Sequence, residues 1–131
     1  MSPELHINLA NLKSNINFFQ RIIKKNTELS AVVKSDAYGL GIAKIVPEIE
    51  RYGVRSFFTA TISEAIKIRS YSRDCEIFTL NGFDFLKSNL YREYNITPII
   101  NNILEAQKFI EIFNQTQKVA IQLNTGMNRL G

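Results

Sequence analysis

Five short apolar runs, set at a nearly constant interval, constrain this chain more than any other feature. They cover residues 29–33, 56–60, 76–80, 97–100 and 119–123 and recur roughly every 20 to 27 residues, the length of one strand plus one crossover helix. The runs are close to continuous in apolar, β-branched and aromatic residues rather than alternating. That is the composition of strands covered on both faces, and so of a parallel sheet.

Helical periodicity fills the intervals. Leu12, Ile16, Phe19 and Ile23 step by one face of a helix, with Asn8 or Asn11 as the cap. Ile42, Ile45, Val46, Ile49 and Tyr52 form a second face that stops at Gly53, and Pro47 inside it predicts a kink or a late start. Thr61 and Glu64 form a capping box ahead of Ala65, Ile66 and Ile68. Phe83, Leu86, Leu90 and Tyr94 predict a further short helix. Asn102 with Glu105 opens the last one, whose predicted buried face is Ile103, Ala106, Ile110 and Phe113. A helix followed by repeated strand and helix, ending on a strand, is an α/β chain with a parallel sheet. A doubly wound sheet and a barrel both satisfy this pattern, and periodicity does not choose between them. An eight-stranded barrel takes about 250 residues, and 131 residues hold five strands.

Charge and rare residues narrow the function. Sixteen basic and twelve acidic residues give a net charge of +4. The lysines are scattered, which argues against nucleic acid as a partner. Lys24 and Lys25 read as the solvated end of a helix. Cys75 is the only cysteine, so no internal disulfide exists, and beside Ile77 and Phe78 it reads as a small core residue. His6 is the only histidine, which removes histidine metal clusters. There is no apolar run of about 18 residues and no signal-peptide pattern. The expectation is a cytoplasmic protein with no membrane partner.

The residues Ala31-Val32-Val33-Lys34-Ser35-Asp36-Ala37-Tyr38-Gly39-Leu40-Gly41 carry the chemistry. They place a lysine at the end of a buried strand, followed by a turn with a tyrosine and two glycines. A desolvated lysine loses part of its preference for the protonated form and becomes a nucleophile for a carbonyl cofactor. The glycines let backbone N–H groups come close to a ligand. The plainer alternative is a solvated lysine, or one paired with Asp36. The chain ends Gln122-Leu123-Asn124-Thr125-Gly126-Met127-Asn128-Arg129-Leu130-Gly131, a strand running into a polar turn. Arg129 there is either a surface arginine or a guanidinium at the ligand-binding edge of a parallel sheet, able to clamp a carboxylate.

The lysine segment resembles the cofactor-lysine segment of alanine racemases, AVVK, a small residue, then DAYGHG. The final segment resembles their second signature, DTGM, a variable residue, then RLG. Between the two, Phe57-Phe58-Thr59-Ala60-Thr61-Ile62-Ser63-Glu64-Ala65 resembles the family's second strand and helix start. The resemblance implies a parallel (β/α) barrel, here truncated to about five of eight strands. It implies that residues 1–131 are the N-terminal portion of the barrel domain, without the C-terminal β domain. It further implies pyridoxal 5′-phosphate as cofactor, an amino acid as substrate, and a homodimer as the complete enzyme. Lys34 would carry the cofactor as a Schiff base and serve as one of two catalytic acid–bases. Tyr38 would bind the cofactor phosphate. Arg129, with Met127 of the same signature, would hold the substrate.

Departures from the family pattern are specific. Leu40 stands for a histidine and Asn124 for an aspartate. Gln122 stands for a lysine that becomes carbamylated in many members, and its amide is expected to hydrogen-bond Arg129 instead. The family's opposite-face tyrosine comes from the partner subunit's C-terminal domain, and the five tyrosines of this chain do not lie in that motif. Three functions therefore remain: a racemase active only when complete or complemented, a non-catalytic module that binds pyridoxal phosphate, and a structural remnant.

Overall fold

The computed structural model describes residues 3–114 and 116–131. The chain runs α1 (Leu9–Ile22), β1 (Ser30–Val32), α2 (Lys34–Tyr38), α3 (Ile42–Arg51), β2 (Ser56–Thr59), α4 (Ile62–Tyr71), β3 (Glu76–Thr79), a 3-10 turn (Phe85–Lys87), α5 (Ser88–Glu93), β4 (Thr97–Ile100), α6 (Ile103–Phe113) and β5 (Ala120–Ile121). Each of the five apolar runs supplies one strand. All pairings are parallel, and the order in the sheet is β1-β2-β3-β4-β5. Val32 lies opposite Phe58, Phe58 opposite Phe78, Phe78 opposite Thr97, and Ile100 opposite Ile121. A doubly wound sheet reverses its order at a switch point. This sheet adds each strand to the same side of the last, which is the winding of a barrel wall.

Alternation along the strands separates two faces. Phe57 and Ile77 point into the core shared with Ile45, Val46 and Ile49 of α3 and Ile62, Ala65 and Ile68 of α4. Phe58 and Phe78 point the other way and stack on each other with centroids 4.8 Å apart. On that same face the hydroxyls of Ser30 and Ser56 are hydrogen-bonded. α3 passes through Pro47 without breaking, since its carboxyl-terminal half still buries Ile49. The caps form where the sequence places them. Asn8 accepts from the Ala10 and Asn11 amides, Thr61 and Glu64 close a capping box, and Asn102 accepts from the Glu105 amide.

Three helical faces differ from their periodic expectation. In α6 the buried residues are Phe109 and Phe113, whereas Ile103 is 78% exposed and Ile110 also faces out. The helix has apolar residues nearly all round, and a cluster of rings decides which side turns in. Phe83 sits 5.3 Å from Phe109 and from Tyr91, and Phe109 sits 4.9 Å from Phe113. In α5 the same cluster draws in Tyr91 and leaves Leu86, in the preceding 3-10 turn, 84% exposed. In α1 only Ile16 is buried, with Leu12 packed at the margin, and Phe19 stays half exposed. No helix among the described residues is long and apolar enough to cross a membrane.

Candidate functional site at the carboxyl-terminal edge of the sheet

Because the strands are parallel, the segments after β1, β3 and β5 leave from one edge. Lys34, Leu80 and the loop bearing Arg129 all lie there. Val33 extends the ladder, donating its N–H to the Phe58 carbonyl at 2.9 Å, and its side chain is buried. Lys34 is the next residue and is half-buried. Asp36 is not its partner. The Asp36 Oδ1 accepts the Ile42 N–H at 3.0 Å and so caps α3, and no ion pair among the described residues includes Lys34.

The turn that follows Lys34 is wound left-handed. Ser35, Asp36 and Ala37 have φ of +53°, +54° and +56° with ψ of +49°, +49° and +46°, and Tyr38 has φ of +55°. Left-handed helical backbone costs L-residues roughly 1 to 2 kcal/mol each, so a run of four is held by its surroundings. Ala37 is buried in the core and its N–H bonds the Val33 carbonyl at 3.0 Å. The Gly39 amide donates to the Ser35 carbonyl and the Gly41 amide to the Asp36 carbonyl, both at 2.9 Å. These glycines are therefore required by φ values of +82° and +90°, not by presentation of free N–H groups to a ligand as the sequence suggested. Tyr38 closes the turn and is 62% exposed on the rim. Since Ser35 is exposed, Ser35→Gly is expected to relieve strain and raise the stability by up to about 1 kcal/mol. A thermal melt that moves down instead would contradict the strained turn.

Glu64 is a residue that sequence reasoning assigned only a capping role. Its Oε2 accepts the Thr61 N–H at 3.2 Å and the Ala60 N–H at 2.8 Å, and its Oε1 reaches the Ser35 N–H at 2.6 Å. The capping signature was visible in the sequence; the second reach joins residues 29 apart and has no local signal.

The second cluster is the loop after β5. Asn124 organises it: its Oδ1 accepts the Gly126 and Asn128 amides, both at 3.1 Å, and its Nδ2 donates to Asn128 Oδ1 at 3.0 Å. An aspartate there would keep the two amide bonds and lose the third. Met127 and Arg129 are exposed on this loop. Gln122 does not order Arg129. Its backbone N–H bonds the Ile100 carbonyl at 2.9 Å, and the side-chain hydrogen bonds of the described residues do not join it to Arg129. β1 and β5 are the outer strands of the sheet. Lys34 and Arg129 follow these two strands, and no ion pair or side-chain hydrogen bond among the described residues joins them. The structure thus brings Lys34 and Tyr38 together in one turn and Met127 and Arg129 together in another, on one edge but not in one contact. Cys75 lies in the core, and burial pushes its thiol pKa up, as suits a packing residue rather than a nucleophile.

Residues 7–131 match the family described as alanine racemase, N-terminal domain. The chain belongs to the alanine racemase N-terminal domain family. The alanine racemase of Methylobacterium nodulans is 36% identical over 107 residues, covering 79% of this chain and 29% of that protein. The alanine racemase of Rickettsia akari is 34% identical over 131 residues, covering 97% of this chain and 37% of that protein. Among solved structures, alanine racemase from Bartonella henselae with covalently bound pyridoxal phosphate superposes with a TM-score of 0.87 at 32% identity, over 95% of this chain and 37% of that one. A Clostridium difficile alanine racemase in complex with cycloserine gives 0.86 at 26% identity, over 95% and 35%. The chain spans about a third of the length of the relatives it matches. The sequentially wound parallel wall is the fold these structures share with the chain.

Proposed function

We propose that this chain carries the cofactor-lysine part of an alanine racemase, the pyridoxal 5′-phosphate-dependent enzyme that interconverts L- and D-alanine for cell-wall synthesis. In this reading residues 1–131 are the N-terminal portion of the barrel domain, the complete enzyme is a cytoplasmic homodimer, and the β domain lies outside these residues. The observation that carries the reading is Lys34. It leaves the end of β1 at the rim where barrel enzymes build their sites, on a turn of strained backbone, with no carboxylate in ion-pair range among the described residues. Strained backbone of this kind gathers at functional sites.

The residues fit the group. An amine at Lys34 suits the aldehyde, and an exposed phenol at Tyr38, four residues on along the same rim, suits the phosphate. Pyridoxal phosphate, when bound, supplies an electron sink that acidifies the substrate's α-proton. Lys34 Nζ serves one face of the substrate, removing the α-proton in one direction of the reaction and delivering a proton in the other. The Arg129 guanidinium holds the substrate carboxylate, with Met127 beside it. The opposite face needs a second acid–base, and these tyrosines do not supply it. Tyr52, Tyr71 and Tyr94 sit at the carboxyl ends of α3, α4 and α5, which lie at the far edge of the sheet from Lys34. Tyr52 also donates to Glu48, a bond that raises its pKa. Tyr91 is buried in the ring cluster, its pKa raised by desolvation.

The test is incubation with pyridoxal phosphate, borohydride reduction and peptide mapping, followed by an assay for D-alanine. Label is expected at Lys34. Racemisation by the 131 residues alone is expected at background, because loss of one general acid–base already costs roughly 10² to 10⁴ in rate. Co-expression with the remaining segment of a relative such as the Rickettsia akari enzyme should restore activity, which separates a racemase from a non-catalytic module. Label spread over surface lysines with none at Lys34 would end this reading.

A further inference from the structure

The three N–H groups that meet the Glu64 carboxylate come from two different loops. Ala60 and Thr61 belong to the junction of β2 with α4, and a helix cap accounts for them. Ser35 belongs to the left-handed turn after Lys34, and a cap does not account for it. The Ser35 amide lies in the first turn of α2, where N–H groups have no partner within the helix. Oε1 of Glu64 takes it at 2.6 Å, the shortest of the three bonds.

Glu105 repeats the device one pair of strands further on. Its Oε2 accepts the Asn101 N–H at 3.0 Å and the Phe83 N–H at 3.3 Å, and its Oε1 accepts from Asn102 Nδ2 at 2.8 Å. Thus the first-turn glutamate of α4 ties the β2 loop to the β1 loop, and that of α6 ties the β4 loop to the β3 loop. Only the first of these ties touches the segment that bears Lys34.

We propose that Glu64 is a positioning residue for Lys34. Its carboxylate fixes the Ser35 amide and thereby the left-handed turn, and with it the direction in which the Lys34 side chain leaves β1. Without the tie, the turn drifts toward the right-handed or extended backbone that L-residues prefer, and the amine no longer points to one place on the rim. The inference rests on the reading of Lys34 as the cofactor lysine.

The experiment compares Glu64→Gln with two matched changes in the full chain. Thr61→Ala weakens the same cap without touching Ser35. Glu105→Gln makes the same chemical change at the tie that lacks a lysine. Two quantities are measured: exchange of the Ser35 amide in the ligand-free protein, and the amount of pyridoxal phosphate fixed at Lys34 by borohydride. A carboxamide has one acceptor oxygen for both loops and turns an NH₂ toward N–H donors. Glu64→Gln should therefore speed Ser35 exchange and lower labelling at Lys34, each by roughly tenfold or more, the scale of one charge-assisted hydrogen bond. Glu64→Asp, charged but too short to span both loops, should behave like Glu64→Gln and serves if the amide variant folds poorly. Both control variants should stay within about twofold of the parent in both readouts. Glu64 variants indistinguishable from the controls would overturn the proposal. A parent chain with no label at Lys34 would instead remove the cofactor-lysine reading, and Ser35 exchange would then decide alone whether Glu64 sets the turn.

Discussion

Lys34→Ala is expected to abolish pyridoxal phosphate fixed by borohydride and to leave the fold unchanged. The lysine contributes no ion pair among the described residues, and the apolar core is built without it. Its removal should therefore change stability by no more than about 0.5 kcal/mol. The effect on labelling should be near total, because capture needs an amine held where the phosphate and ring are also held. The other lysines offer amines without that setting. Lys87, Lys108 and Lys118 are paired with Asp84, Glu111 and Glu76, and Lys24 and Lys25 follow the end of α1. Lys44→Ala and Lys67→Ala are the matched controls and should keep the label. Label retained in a folded Lys34→Ala chain would place the chemistry elsewhere.

The largest effect on stability is expected from Arg69→Ala. Arg69 lies in the last turn of α4 and serves carbonyls of two connections at the amino-terminal edge of the sheet. Its Nε donates to Tyr94 O and its Nη2 to Asn95 O, both at 2.8 Å; its Nη1 donates to Arg73 O at 2.8 Å and to Cys75 O at 2.9 Å. The guanidinium joins the segment entering β3 to the segment entering β4, and its charge suits the carbonyl-rich carboxyl ends of α4 and α5. Hydrogen bonds to a charged group are worth roughly 1.5 to 3 kcal/mol each and do not add in full. A loss of about 3 to 4 kcal/mol is expected, a large part of the roughly 5 to 15 kcal/mol that holds a domain folded. Urea unfolding measures it, and Cys75, buried beside the guanidinium, should become reactive to thiol reagents. Arg69→Lys should recover only part of the loss, since a point charge cannot fork across two loops. A midpoint that shifts by less than about 1 kcal/mol equivalent would show that the carbonyls find other partners.

Lys34 and Arg69 sit at opposite edges of one sheet, and only the first is legible in the sequence. Lys34 was read directly, because its neighbours in the chain define its setting: an apolar run before it, a turn with two glycines after it. Arg69 gave no signal, since its partners at 94 and 95 come from a different connection. The same division runs through the helices. The capping box at Thr61 and the asparagine cap at Asn102 are local and form as read. The buried face of α6 is not local. Several stripes of that helix are apolar, and the rings of Phe83 and Tyr91 select the one containing Phe109 and Phe113.

The sequence by itself determined the strands, their parallel sense and the two signatures, because burial on both faces and short motifs are properties of neighbouring residues. Periodicity left a doubly wound sheet and a barrel open and the family resemblance implied the barrel; the tertiary structure shows the sheet winding in one direction as a barrel wall, since strand order depends on where each crossover returns. It also decided the backbone hand after Lys34. Ser35, Ala37 and Tyr38 have no intrinsic preference for left-handed backbone. What holds them there is a buried alanine, a cap on Ile42 and a glutamate 29 residues away, and only folding brings these to one place.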